Sequence, residues 1–447
     1  MKEKPYKHTK NERLEPIANR ESTDNGLSAV SRRQFISGML GAGAALATGT
    51  LVVTSGCSSN KKDDLESVVA KTAQDADITT LRVAVDQLVE SATFEEAPVS
   101  DYLVLESTWD LPKGSLVYVC DKRKALVLVP GETTEALIKL GFLDLTTGEL
   151  AIAMEQALDH NEGYVIYDAR ASDSALIWIE SNMQTTHWQV YCSTLDNGIP
   201  GEPQLIDEGQ TDYEPPLLCV SGNKVYWTYM PDPLGAANKE DSYLKATTVK
   251  TVDPQIIYTS HGRMITNPLA TEGIITLVPR VDTDNVYYQL TALRVDDDSV
   301  VAVSILPQAL KVNEAIYMSG TFTFCTENNY DYAEGLAYYG TYRDLGDGSY
   351  LHVNKMPTSA AVQFKQHLML RSTRNVVGID VANKRFFVIE LMTDSVDYGD
   401  ILAAWGVQDK VITYSTITNK GSGSTGKTRI RVFGEQVDNS QTTGLGQ

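Results

Sequence analysis

The stretch that decides the fold runs from Tyr164 to Ile206 and reads YVIYDARASDSALIWIESNMQTTHWQVYCSTLDNGIPGEPQLI. It contains four apolar runs with the aromatic and β-branched composition of strands, at 164–167, 175–179, 188–191 and 204–206. Polar segments rich in Ser, Asp, Asn and Gly separate the runs, which is typical of turns. Asn197-Gly198, between the third run and the fourth, is a typical hairpin turn. The stretch therefore predicts one small antiparallel sheet of four strands.

The same layout recurs along the chain. A tight-turn signal separates the third run of each group from the fourth, at intervals of roughly 36 to 55 residues. The signals are Thr147-Gly148, Asn197-Gly198, Val252-Asp253-Pro254, Asp297-Asp298, Asp347-Gly348 and Asn383-Lys384, with a degenerate one near Gly434. A four-stranded propeller blade has a period of about 40–50 residues. The repeat predicts an all-β fold, a seven-bladed β-propeller of four-stranded antiparallel blades, with six to eight blades as the range.

The last group supplies only three runs, at 401–405, 410–414 and 428–433. A closed ring needs a fourth strand there, because an unpaired edge strand invites aggregation. The lone apolar run 102–105 precedes the first full group and has no partner of its own. We expect it to insert beside 428–433 and close the ring. Short helices are expected only at Ala84–Glu90 and Glu135–Leu140.

The amino-acid sequence of the second group resembles the repeat of a known family. ASDSALIW at 171–178, WQVY at 188–191 and LDNG at 195–198 resemble the repeat of TolB-like propellers. In that repeat a Ser-x-Asp turn feeds an apolar strand and a later strand ends in an Asp-x-Gly turn. The resemblance covers the residues of one blade, and in the other blades it covers only the order of strands and turns. It implies a TolB-like (WD40-like) β-propeller domain. The usual Pro-Asp-Gly turn is not present in this blade.

An export signal precedes the repeats. Ser31, the adjacent Arg32 and Arg33, and Phe35 are followed by an uncharged, Gly/Ala-rich run that continues to Asn60. This order resembles a twin-arginine (Tat) signal peptide, and the resemblance implies the Tat export machinery as a partner. The run contains too many glycines for a typical permanent span of about 20 residues. An uncleaved signal anchor is the alternative.

The signal ends in a lipoprotein-like cleavage box. Thr54, Ser55 and Gly56 precede Cys57, and the two small residues suit a peptidase cleft that must admit the backbone closely. Thr54 stands where Leu is usual in this box. The resemblance implies a lipid on Cys57 that holds the protein at the extracytoplasmic face of the cell membrane. Cleavage by an ordinary signal peptidase is the alternative.

These features divide the chain into four parts. We expect a signal peptide with its lipobox at 1–57, a flexible polar tether at 58–78, the propeller at 79–437 and a disordered tail at 438–447.

Charge and cysteine content limit the partners. The formal net charge is −20 at pH 7, so the protein repels phosphate backbones and nucleic acid is a poor partner. We expect membrane contact through the lipid only. Four cysteines follow Cys57, and each lies in or beside an apolar, strand-like run: Cys120, Cys192, Cys219 and Cys325. An even count in an exported chain is typical of disulfides, whereas Tat substrates fold before export in a reducing compartment. Four buried free thiols are the favoured interpretation, and disulfides remain the alternative.

Two kinds of chemical motif lack the sequence context that their function requires. Gly421–Thr428 reads GSGSTGKT and matches the P-loop pattern, but an alternating strand pattern follows where nucleotide binding requires a helix. We interpret it as a chance match in a hairpin loop, with no nucleotide site. The six histidines are scattered and the Asp-rich turns lack EF-hand spacing, so we predict no metal and no cofactor.

These observations favour a binding or scaffolding module of the cell envelope, whose partner is an envelope protein or a small ligand. A propeller enzyme of the glycosidase or lyase type is the alternative, with axial carboxylates for which Asp168, Glu180 and Asp212 are the first candidates. A solute-binding lipoprotein ranks last, because the sequence shows no alternating strand and helix units.

Overall fold

The computed structural model describes residues 78–131, 138–326, 334–354, 361–396, 399–418 and 426–436. The regular structure of these ranges is almost entirely β-strand, and it includes no helix with the length and hydrophobicity of a membrane-spanning segment. The short 3-10 helices are Val85–Gln87, Ser91–Thr93, Val99–Asp101, His160–Glu162 and Glu334–Ala337. The fold is therefore all-β, as predicted.

Three N-terminal strands precede a series of antiparallel sheets. They are β1 (Leu88–Glu90), β2 (Glu95–Glu96) and β3 (Leu103–Pro112). Sheet 1 contains β4 (Leu116–Val119), β5 (Lys124–Val129), β6 (Lys139–Asp144) and β7 (Leu150–Met154). Sheet 2 contains β8 (Tyr164–Ala171), β9 (Ala175–Asn182), β10 (His187–Asp196), the short β11 (Ile199–Pro200) and β12 (Gln204–Gly209). Sheet 3 contains β13 (Leu218–Ser221), β14 (Lys224–Tyr229), β15 (Ser242–Thr248) and β16 (Gln255–Ser260).

The remaining sheets repeat this order. Sheet 4 contains β17 (Leu269–Thr271), β18 (Ile274–Leu277), β19 (Gln289–Arg294) and β20 (Val300–Ile305). Sheet 5 contains β21 (Glu314–Met318), β22 (Thr321–Thr326), β23 (Gly340–Asp344) and β24 (Tyr350–Val353). Sheet 6 contains β25 (Val362–Phe364), β26 (His367–Ser372), β27 (Asn375–Asp380) and β28 (Arg385–Ile389), and β30 (Gly406–Gln408) pairs with β25. Sheet 7 contains β29 (Ile401–Leu402), β31 (Val411–Ile417), β32 (Lys427–Glu435) and β3.

Each sheet packs face to face on the next, and the apolar clusters between them close a circle. Trp178 of sheet 2 lies in a cluster with Phe142 of sheet 1, and Trp227 of sheet 3 lies in a cluster with Trp188 of sheet 2. The last such cluster joins sheet 7 to sheet 1. Burying one large apolar side chain contributes about 1.5–3 kcal/mol, so these clusters hold the ring together. The described residues thus form seven blades of a β-propeller, within the predicted range.

The predicted closing strand is confirmed. β3 pairs antiparallel with β32 along the whole length of both strands, with Leu105 opposite Phe433 and Asp110 opposite Arg429. Leu103 and Leu111 of β3 are buried in the clusters on either side of sheet 7. Sheet 7 is therefore built from both ends of the described chain.

The segment before β3 was not predicted to form strands, and it follows the outer edges of three further sheets. Leu81 N donates a 2.6 Å hydrogen bond to Ile305 O at the end of sheet 4. β1 then pairs parallel with β24 of sheet 5, and β2 pairs parallel with β28 of sheet 6. We call residues 81–112 the strap, because they connect sheets 4, 5, 6 and 7 in order.

Three local predictions are wrong or only partly correct. Gly434 is not a turn: it lies inside β32, since the outer strand of sheet 7 comes from the N-terminal side of the chain. Ala84–Glu90 forms one 3-10 turn and then β1 rather than a helix. The second predicted helix, Glu135–Leu140, is described only from residue 138, and its last two residues begin strand β6. The six other predicted turn signals do connect the third and fourth strands of sheets 1 to 6.

The four cysteines of the described chain form no disulfide bond, and Cys120 is only partly buried. Cys192, Cys219 and Cys325 are buried within β10, β13 and β22, as the favoured interpretation expected. Burial raises the pKa of Cys192 to about 11 and that of Cys219 to about 12. Both thiols therefore stay protonated near neutral pH and pack as small apolar groups.

Candidate functional site at the ring axis

The first strands of the sheets face the axis of the ring, and one segment of sheet 7 crosses it. After β29 the chain continues through Trp405 to β30, whose Gly406 N bonds to Ala361 O at the start of sheet 6. Trp405 Nε1 donates to Ala270 O at 3.1 Å, and Val407 N donates to Thr271 Oγ1 at 2.9 Å. Both acceptors lie in sheet 4, three sheets away around the ring. Residues 403–408 therefore form an axial plug.

Gly406 is the residue that allows this crossing. Its φ of +69° lies in the left-handed region, and a Cβ atom there would lie 2.4 Å from the Thr271 side chain. Any larger residue would clash with Thr271 and be strained in its backbone as well. The plug therefore depends on glycine at this position.

Arg170 of β8 contacts the plug from sheet 2. Its guanidinium carbon lies 4.2 Å from the centre of the Tyr118 ring of sheet 1 and 5.8 Å from that of Trp405. The side chain is only 13% exposed, so these cation–π contacts form in a largely desolvated environment. Sheets 1 and 2 and the plug thus meet at one planar cation.

Asp168 fixes the orientation of this arginine. Arg170 Nη1 donates to Asp168 Oδ1 at 2.6 Å and to Ala169 O at 2.7 Å. A β-bulge between Ile166 and Asp168 shifts the register of β8 against β9. Such bulges commonly change the direction of side chains next to functional sites. Within the described chain, Nε and Nη2 of Arg170 make no hydrogen bond. This edge of the guanidinium has the geometry that holds a carboxylate by two parallel hydrogen bonds.

A second buried ionic group lies between sheets 6 and 7. Asp400, which is fully buried, accepts a short hydrogen bond from Arg431 of β32. Arg371 of β26 contributes a further positive charge near the same carboxylate. Burial raises the pKa of Asp400 although these arginines oppose the shift. The cost of desolvation is therefore a dominant part of the energetics of this group.

The three carboxylates considered for catalysis have separate surroundings. Asp168 pairs with Arg170, whereas Glu180 accepts hydrogen bonds from Trp178 Nε1 at 3.0 Å and from Leu158 N at 2.8 Å. The β8–β9 register places Asp168 opposite Ile179, so alternation along β9 puts Asp168 and Glu180 on opposite faces of sheet 2. Asp212 is an exposed residue of the connection to sheet 3. The structure does not bring these three together.

Another carboxylate, which was not singled out from the sequence, has a perturbed pKa. Glu314 begins β21, the first strand of sheet 5, and burial alone raises its pKa to about 7. No group of three or more His, Cys, Asp or Glu side chains that suits a metal ion occurs in the part of the chain that the structure describes.

Several predicted residues lie outside the described ranges. They include the export-signal residues Ser31, Arg32, Arg33 and Phe35, the box Thr54–Gly56 and Cys57, the tether up to residue 77, and the tail 438–447. Of the P-loop match, residues 421–425 also lie outside, whereas Lys427 and Thr428 are the first two residues of β32. Lys427 pairs with Asp110 of β3 at 3.2 Å.

Comparison with known proteins gives a likeness of fold. No protein-family model matches the chain, and no curated protein matches it in sequence. Among solved structures, the β-propeller domain of the Trilobed protease from Pyrococcus furiosus has a TM-score of 0.45 at 7% identity, over 77% of this chain and 99% of that one. An oligogalacturonate lyase in complex with manganese has a TM-score of 0.43 at 10% identity, over 76% and 97% of the two chains.

Larger enzymes are also matched in part. A structure of prolyl endopeptidases has a TM-score of 0.46 at 11% identity, over 68% of this chain and 46% of that one. The match therefore spans about half the length of the peptidases. At this level of identity the likeness concerns the fold alone. The chain is an all-β protein with a β-propeller of four-stranded antiparallel sheets.

Proposed function

We propose that this protein is a lipid-anchored, extracytoplasmic β-propeller that binds a carboxylate-bearing ligand at Arg170 on the ring axis. One observation carries the proposal: a guanidinium held by Asp168 and bordered by two aromatic rings keeps its Nε–Nη2 edge without a hydrogen bond in the described chain. A largely buried cation whose bidentate edge has no hydrogen bond in the described chain favours a planar anion. The adjoining rings of Tyr118 and Trp405 favour a ligand with a flat or apolar body.

The enzyme alternative has less support from the contacts. A glycosidase of the usual type needs two carboxylates flanking one bond of the substrate. Asp168 and Glu180 have different partners and lie on opposite faces of sheet 2, and Asp212 is an exposed residue outside that sheet. Binding is therefore the function that the described geometry supports best.

The axial site is tested with benzoate as the probe. Trp405 carries an indole N–H next to Arg170, so its resonance in a ¹H–¹⁵N spectrum reports on the site, and Trp405→Phe assigns it. We expect this resonance to shift on titration, with a dissociation constant of about 1–10 mM, typical of a small ligand with few contacts. Arg170→Lys keeps the charge beside Asp168 but loses the planar edge, and we expect at least tenfold weaker binding.

Controls separate a site effect from a surface effect. Arg123 is a surface arginine with a side chain that is 73% exposed, so Arg123→Gln should leave the titration unchanged. An unshifted Trp405 resonance at 50 mM benzoate would contradict the proposal. So would an equal shift in the Arg170→Lys protein.

The anchor is tested separately. With Cys57 as the acylated residue, we expect diacyl-modified peptides that begin at Cys57 in the membrane fraction of producing cells, detected by mass spectrometry. Cys57→Ala should release the protein from the membrane, because the two acyl chains supply the attachment. Unmodified peptides that span residues 1–60 in the membrane fraction would instead indicate an uncleaved signal anchor.

A further inference from the structure

The strap shows that the outer edge of a blade in this ring accepts an added strand. β1 pairs parallel with β24, and β2 pairs parallel with β28, so the outer strands of sheets 5 and 6 are both covered. In sheet 4 the outer strand is β20, where the strap contributes the bond from Leu81 N to Ile305 O at the strand's last residue. Coverage by the strap therefore begins at the end of β20.

The uncovered part of β20 is apolar and exposed. Val300, Val301 and Val303 are 41%, 36% and 45% exposed. Since Ile305 O points outward to Leu81, the period of two along a strand directs the N–H and C=O groups of Val303 outward as well. The β19–β20 register then shifts and skips Val301, which therefore has no residue of β19 directly opposite it. In the described chain the outward groups of Val303 belong to the free edge of sheet 4. Such an edge is a template for another strand.

Charge at the start of this edge indicates which kind of strand fits. The turn before β20 carries Asp296, Asp297 and Asp298. Asp298 pairs with Lys224 at 2.7 Å, and Asp297 pairs with the half-exposed Arg294 at 3.3 Å. Asp296 is exposed, in a protein with a net charge of −20. Basic side chains on a docked strand are therefore favoured at the start of β20. Arg82 of the strap lies near the end of β20.

We propose that the free edge of β20 is a docking site for an extended segment of a partner protein, with basic residues followed by an apolar strand. The segment adds parallel to β20, as β1 and β2 add to β24 and β28, and its C-terminal end meets the strap at Leu81. Main-chain hydrogen bonds to Val303 supply affinity, and the acidic turn sets orientation. The site is separate from Arg170 and does not depend on benzoate binding.

The probe is a peptide of sequence KKVTVTV, with EEVTVTV as its charge-reversed match. Hydrogen exchange of the intact protein, read by NMR, should show slower exchange of the Val303 amide when KKVTVTV is present. At low ionic strength we expect EEVTVTV to bind at least tenfold more weakly, and the difference should shrink as salt is added.

Two lysine substitutions locate the edge. Val303→Lys places a charge on the proposed edge and should weaken KKVTVTV binding at least tenfold. Ile256→Lys makes the same kind of change on the outer strand of sheet 3, where Ile256 is 39% exposed, and should leave binding unchanged. Both positions are exposed, so unfolding midpoints should stay close to that of the unmodified protein.

The proposal is overturned if 1 mM KKVTVTV leaves the Val303 amide unprotected, or if the two peptides bind equally. It is also overturned if Val303→Lys has no effect. Protection of this amide that rises with protein concentration alone would assign the edge to a second copy of this chain instead.

Discussion

A chain that begins at Lys113, and so lacks β3, should lose the cooperative unfolding transition of the intact propeller. Without β3, β32 becomes an exposed edge, and the clusters on both sides of sheet 7 lose Leu103 and Leu111. Burial of two leucines alone contributes about 3–6 kcal/mol, a large part of the 5–15 kcal/mol by which domains are stable. Thermal unfolding followed by circular dichroism, with light scattering for aggregation, measures the effect.

Two longer chains provide the controls. One that begins at Ile78 keeps the whole strap and should unfold like the full chain. One that begins at Pro98 lacks β1 and β2 but keeps β3, and we expect it to remain folded with a lower midpoint, because these two strands add only short parallel pairings. Cooperative unfolding of the chain from Lys113 at an unchanged midpoint would show that ring closure does not depend on β3.

The second large effect is expected for Asp400→Asn. This change leaves Arg431, whose side chain is only 14% exposed, without its carboxylate partner and next to Arg371. Removing one partner of a buried ion pair typically costs about 3–5 kcal/mol. We expect the free energy of unfolding, from denaturant titration, to fall by about this amount.

A double variant separates lost charge pairing from lost packing. Asp400→Asn with Arg431→Met removes both charges, and it should recover at least half of the lost stability. Asp110→Asn is the exposed counterpart: Asp110 pairs with Arg429 at 2.7 Å, the two side chains are 30% and 38% exposed, and exposed pairs contribute about 0–1 kcal/mol. Equal losses for Asp400→Asn and Asp110→Asn would contradict the account given for Asp400.

The sequence was sufficient for the blades because their signals are local. Each four-strand group has apolar runs of strand length and a turn that requires particular residues, such as Asn197-Gly198, where both φ angles are positive. The closing strand was predictable because the last group lacked a strand and one apolar run had no partner. Gly434 was misassigned because the turn pattern was extended to a blade whose outer strand is not connected through a hairpin.

The plug and the part of the strap that precedes β3 carry no such signal. β2 consists of two glutamates and β30 of Gly406, Val407 and Gln408, so neither has the alternation or composition of a strand. They form strands only because their backbone groups hydrogen-bond to β28 and β25, which are distant in the sequence.

The same reason applies to Arg170. The sequence pattern predicted that its strand ends at Tyr167, whereas β8 continues past the bulge to Ala171. This continuation places Asp168 and Arg170 at the axis. Contacts among residues 118, 170 and 405 are set by the ring, which no local pattern encodes.

The strap also determines how the ring would respond to mechanical force. If Cys57 carries the proposed lipid anchor, a pull through it would reach the described chain at Ile78 and would first load the bond between Leu81 and Ile305. Rupture would then proceed from β1 to β2, and only afterwards to the long ladder of β3. The bond at Leu81 and the two short strands β1 and β2 would thus rupture before the strand that closes the circle is pulled.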